Sequence, residues 1–233
     1  EVMKEGVSQY KLIRIAVESL RNSLRLHFDS ILLFKNGSFP SAYQLSVLSL
    51  EEFAKAKWVE NYVWSSLANN GYPDETFEQE WLQLLYRHPE KQWAFLAREI
   101  FDYSPKFAEF VKSKKLEEKK QNAIYVGLSR LKGKVDASSR VSTPSRIKEK
   151  DVSQLISLLN NEFLEIYKKI EIQESYFDIP EMDELINHET YKKLTKWPSK
   201  TGLKSRRWSK VWFGKMATNK PIKKDAQKAR SSS

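Results

Sequence analysis

Residues 41–69 run for 29 positions without a glycine or a proline, directly after Pro40. Projected at about 100° per residue, Leu45, Leu48, Ser49, Glu52, Ala56 and Val59 share one face of a helix. Val47, Leu50, Phe53, Ala54, Trp58, Tyr62 and Val63 cover much of the remainder. A helix that is apolar nearly all round must be covered on every side, so it belongs at the centre of a bundle and not on a surface. Yet it carries Glu51, Glu52 and Lys55 at its middle. Lys55 is one turn from both acids, at i,i+4 and i,i+3, so either carboxylate can reach its ammonium.

The rest of the chain supplies helices to cover it. Leu12, Ile15, Ala16, Ser19, Leu20, Ser23, Leu26 and Ile31 recur at helical spacing and predict one long helix over 8–35. Asn36-Gly37-Ser38 ends it, and Pro40 sits in the first turn of the next. A shorter helix is expected over 75–87, another from His88-Pro89-Glu90 to about Phe101, and a longer one from Pro105 to about Lys132. Residues 133–148 read as a polar loop, 149–175 as an amphipathic helix, and 181–194 as a short last helix. With only 7 glycines and 8 prolines, and no strand pattern, the fold class is all-α, a bundle of about five or six helices. The domain reading is a helical domain over 1–175 and a C-terminal extension with a basic tail over 176–233.

Charge separates those parts. The net +10 lies in the tail, since from Lys196 onward there are 12 Lys/Arg and one acid, Asp225. A tail of that kind attracts polyanions by charge alone. The candidates for RNA contact are Lys120, Lys204, Arg206, Arg207, Trp208 and Lys210, which join cations to a stacking surface. The chain has no cysteine, which excludes disulfides, thiolate metal sites and cysteine nucleophiles. No apolar run reaches membrane-spanning length, and Glu1–Glu5 lacks a signal-peptide core, so a cytoplasmic protein without a membrane partner is expected.

Four clusters carry chemistry. Glu51-Glu52-x-x-Lys55 reads equally as a buried ion-pair network that sets helix register and as a functional site. His88-x-x-Lys91 at a helix start suits an anion, though a solvated helix start explains it better on its own. Gln121-Asn-Ala-Ile-Tyr125-Val126 is by itself an ordinary amphipathic segment. Arg21 and His27, six residues apart, fall about 120° apart on a helix and read as a chance match to an Arg-His nuclease spacing.

Taken together, Phe34–Ala56, His88-x-x-Lys91 and Gln121–Val126 resemble the AbiV family of abortive-infection proteins, a branch of the HEPN helical superfamily. The first stretch looks like that family's helix, glycine turn and helix ending in Glu-Glu-x-x-Lys, and order and spacing agree over about residues 15–130. Ala54 stands where the family usually has glycine, and Gly127 where an acid often follows Tyr-Val.

The resemblance implies a HEPN-type bundle and a phage-defence protein that arrests translation. It also implies a homodimer and a phage-encoded activator. Two readings of the mechanism stand. In one, the protein is a metal-independent endoribonuclease without cofactors, whose catalytic candidates are Glu51, Glu52, Lys55, His88, Lys91 and Tyr125. Glu52 or His88 acts as base, Lys55 and Lys91 supply positive charge, and Tyr125 orients or donates. In the other, it is a non-catalytic RNA- or ribosome-binding inhibitor of translation, regulated by a phage or partner protein.

Overall fold

The computed structural model describes residues 7–205 apart from 70, 72, 98, 99, 129, 132, 133, 178 and 199. Helix α1 spans Gln9–Lys35 and α2 spans Phe39–Ala68. They fold back on each other through a tight turn. Gly37, with φ of 74°, takes the left-handed position there. Its N–H donates to Phe34 O at 3.0 Å and the Ser38 N–H donates to Leu33 O at 2.9 Å. This pair of hydrogen bonds closes the end of α1, and the left-handed backbone there favours glycine.

Small residues let α1 and α2 approach closely. The Ser23 hydroxyl donates to Ser49 O, and the Ser49 hydroxyl donates to Ser23 O, both at 2.7 Å. Ala16, Ala42, Ser46 and Ala56 are fully buried along the same helices. Helix α7, Glu149–Gln173, packs against both, and Phe163 meets Phe53 edge-on with ring centroids 5.3 Å apart. As the sequence pattern demands, α2 buries residues on most of its faces between Ala42 and Ser66, although Glu52 borders a groove and Trp64 stays exposed.

Short helices close the remaining sides: α3 over Glu75–Leu84, α4 over His88–Ala97, α5 over Pro105–Lys112 and α6 over Lys115–Asn122. The long helix expected from Pro105 to about Lys132 is therefore two short ones. The break is at Lys114, whose φ of 60° reverses the chain and cannot continue a helix. Beyond Asn122 the chain is extended: Gly127 bridges Ser142, and β1 (Arg130–Leu131) pairs antiparallel with β2 (Lys134–Val135). No strand was expected there. Two-residue strands are too short to show an alternating pattern.

Residues 176–205 join the same core. They form α8 (Pro180–Asp183), a 3-10 turn at Glu184–Ile186 and α9 (His188–Leu194). Phe177, Met182, Ile186 and Leu194 are fully buried, and the Trp197 indole N–H donates to the Ser157 hydroxyl at 2.8 Å. Residues 176–205 of the expected C-terminal extension therefore pack on the helices before them, and residues 206–233 lie outside the described residues. Among the described residues the architecture is all-α, and no helix is long and apolar enough to cross a membrane.

Candidate functional site

Glu51 is the centre of the charged cluster. Its position on α2 faces α4 and α6, and its side chain is 1% exposed. A carboxylate so placed must be matched by donors, and four side chains from two helices do so. His88 Nδ1 lies 2.6 Å from Oε2, and Lys91 Nζ is 3.8 Å from the same oxygen. Oε1 accepts from Gln92 Nε2 at 2.7 Å and from Lys120 Nζ at 2.8 Å. Helix α4 thus delivers His88, Lys91 and Gln92 within one turn of its start, and α6 delivers Lys120.

Glu52, next along α2, looks outward. It accepts from Lys55 Nζ at 2.9 Å and lies 3.9 Å from Lys91 Nζ. It also lines an open groove of about 410 Å³ with Ser19, Asn22, Lys55, Leu85 and Tyr86. Glu117 on α6 completes the set. Lys120 Nζ reaches it at 2.6 Å, and Gln92 and Gln121 each donate to it at 2.7 Å. Three glutamates therefore face three lysines, and the cluster is electrically neutral when His88 is neutral.

Its lysines differ in kind. Lys120 is bound by two carboxylates and Lys55 by one, within hydrogen-bond distance. Lys91 touches Glu51 and Glu52 only at ion-pair range. Burial pushes its pKa below the ordinary lysine value, helped by the charges of Lys55 and Lys120 and opposed by Glu51 and Glu52. Burial alone would raise the Glu117 pKa, but hydrogen bonds from Lys120, Gln121 and Gln92 outweigh it and hold the carboxyl below its usual range.

An ionised carboxylate only accepts, so the proton on His88 belongs at Nδ1, and in the neutral ring the lone pair sits on Nε2. The His88 side chain is 47% exposed. A buried acid thus fixes the tautomer of an imidazole that is itself half exposed. That is the arrangement of an oriented general base.

The structure brings Glu51, Glu52, Lys55, His88 and Lys91 together. Lys120, expected to contact RNA, is instead fully buried inside the cluster. Lys204 is buried as well, paired with Glu162 and 4.6 Å from the Tyr103 ring centroid, so it is not a surface cation. Its pKa is raised; burial acts against this, and the charges of Glu162 and Glu165 prevail. Tyr125 is 62% exposed and its hydroxyl has no hydrogen-bond partner among the described residues. Arg206, Arg207, Trp208 and Lys210 lie outside the described residues.

Arg21 is exposed beside Glu18, whereas His27 is fully buried and 3.2 Å from Asn160, so the two do not form one site. Glu117 and Gln92 escaped the sequence reading. The available signal was Glu117, Lys120 and Gln121 at i, i+3 and i+4, a polar face on a helix whose buried residues are Leu116 and Lys120.

Glu51, His88 and Glu117 also place ligand atoms within 4.8 Å of one another, close enough for a metal ion. The position between the two carboxylates, however, is held by the Lys120 ammonium, at 2.8 and 2.6 Å. A divalent ion would have to displace a buried cation, so this donor set does not fit one well.

No curated protein and no solved structure matches the chain. A family model, HEPN_AbiV, described as AbiV, matches residues 11–165, which takes in α1, α2, α4, α6 and every side chain of the cluster. That span is well over half of the 233 residues, and its order of helices is the one that builds the site: the chain belongs to the AbiV family of the HEPN proteins.

Proposed function

We propose that this protein is a phage-defence factor that arrests translation in the infected cell by cutting RNA without a metal ion. The observation that carries the reading is the His88 Nδ1 to Glu51 Oε2 contact of 2.6 Å beside a half-exposed imidazole. RNA brings its own nucleophile, the 2′-OH. His88 Nε2 takes its proton as the oxygen bonds to phosphorus, and Glu51 stabilises the imidazolium. Lys91, with its lowered pKa, gives a proton to the 5′ oxygen as the P–O5′ bond breaks. Lys55 and Lys91 offset charge on the phosphorane, and Lys120 holds Glu51 from inside the cluster. Tyr125 stays a candidate only for holding substrate or partner. A cytoplasmic homodimer and a phage-encoded activator are part of the proposal. Ile124, Tyr125 and Val126, three exposed apolar side chains in a row beside α6, are a surface that a second copy would cover.

A second reading has one observation in its favour. Each lysine of the cluster is matched by a glutamate, which is also what a register-setting ion network looks like. On that reading the protein binds RNA or the ribosome and does not cut. Expression of wild type, E51Q and H88A, with RNA integrity and protein synthesis followed together, separates the two. Loss of RNA cleavage and of arrest in folded H88A supports catalysis. Arrest that persists in H88A with intact RNA favours binding.

A further inference from the structure

The cluster has no net charge to draw a phosphate chain, so recognition must come from residues around it. The two residues before His88 have the chemistry for that. Leu85, at the end of α3, is 2% exposed and anchors the turn, whereas Tyr86 is 73% exposed. Backbone bonds hold the turn in place: Tyr86 N–H donates to Gln83 O at 3.3 Å, Arg87 N–H to Leu84 O at 3.1 Å, and Lys91 N–H to Arg87 O at 3.1 Å. Among the described residues the Tyr86 ring stacks on no other ring, and its hydroxyl has no hydrogen-bond partner. Tyr86 also walls the groove that exposes Glu52, Lys55 and Asn22. Arg87 is exposed and makes no ion pair among the described residues. Nearly all other charges around the groove are committed: Lys55 to Glu52, and Arg21 to Glu18.

We infer that Tyr86 is a stacking platform for one unpaired nucleobase and Arg87 the contact for its phosphate, so that the substrate is single-stranded or looped RNA. The inference rests on the RNA reading of the site. An exposed aromatic ring on a hydrogen-bonded turn accepts any base by its face, but only after that base has left a helix. A-form duplex keeps its bases stacked and offers Tyr86 nothing. The groove beside the ring, with Asn22 and Ser19 on its wall, takes the base edge. His88, two residues on, then lies beside the adjoining ribose. Tyr86 and Arg87 are positioning residues that act on binding, not on proton transfer.

The test uses the full chain, a short fluorescein-labelled single-stranded RNA and the duplex of the same sequence. Kd is read by anisotropy, and KM and kcat by cleavage. Y86A should raise Kd and KM about 5- to 100-fold with kcat unchanged, the range that loss of one base stack gives. Y86W should bind like wild type. R87Q should weaken binding and flatten its salt dependence. A side chain this exposed is removable without unfolding, and an unchanged melting temperature checks that. Y86A with wild-type Kd and KM, or a duplex bound and cut as well as the single strand, overturns the inference while leaving the RNA reading intact. A wild-type protein that neither binds nor cuts the RNA removes both.

Discussion

Lys120 Nζ lies 2.8 Å from Glu51 Oε1, and both side chains are almost wholly excluded from solvent. The contact joins α6 to α2 across 69 residues of sequence, and Gln92 of α4 reaches the same oxygen. Removing the cation leaves Glu51 buried among fewer donors. Lys120→Met is expected to lower unfolding stability by about 3–5 kcal/mol, measured by urea titration. The double variant Glu51→Gln with Lys120→Met should recover part of that loss. A double variant that loses as much as the two single variants added together would mean the pair is not coupled.

His88 and Glu52 should separate in cleavage assays. His88→Ala is expected to reduce RNA cleavage by about 10²- to 10⁴-fold, the usual contribution of a general base, with the fold intact by circular dichroism. Glu52→Gln should act mainly through the groove and change kcat less. A larger kcat loss for Glu52→Gln than for His88→Ala would transfer the role of base to Glu52.

Lys120 occupies the place between Glu51 and Glu117 that a divalent ion would need. Cleavage should therefore persist at full rate in excess EDTA. Loss of activity on chelation, restored by added Mg²⁺, would contradict the proposed chemistry.

Stability should fall on mild acidification through one residue. Burial of His27 pulls its pKa from 6.5 down to about 4, partly countered by Asn160. The unfolded chain then binds a proton near pH 6.5 that the folded protein refuses until near pH 4. His27 thus contributes stability above pH 6.5 that is lost progressively down to about pH 4. The loss is about 3 kcal/mol in total, at 1.36 kcal/mol per unit. Urea unfolding at stepped pH should show that slope for wild type and a smaller one for His27→Gln.

A chain ending at residue 175 should not unfold cooperatively. It would lack Phe177, Met182, Ile186 and Leu194, all fully buried. At about 1.5–3 kcal/mol each, their loss matches most of a typical domain's stability. A sharp calorimetric transition in the shortened chain would show that residues 176–205 are dispensable to the core.

Sequence alone determined the helices whose signal is local. The unbroken apolar run over 41–69 required a central helix, and α2 is that helix. Gly37, the α1 periodicity and the α7 stripe were equally legible, because each depends on neighbours within two turns. The break at Lys114 was not. It hinges on one left-handed residue with no glycine to mark it. The burial of residues 176–205 was also hidden, since a polar, lysine-rich stretch gives little sign of the four apolar anchors it places in the core.

For the site, the sequence named the acids of α2 and the His-x-x-Lys of α4 as separate pieces. Tertiary structure alone decided that they meet, that Glu51 and not Glu52 is the buried acid facing His88, and that Lys120 is an interior cation rather than a surface one. The reason is geometric. A one-residue step along α2 turns a side chain by about 100°, enough to move a carboxylate from the α4–α6 interface to the open groove. Which of the two faces is covered depends on how α4 and α6 pack. Those contacts span 37 and 69 residues, and no local pattern encodes them.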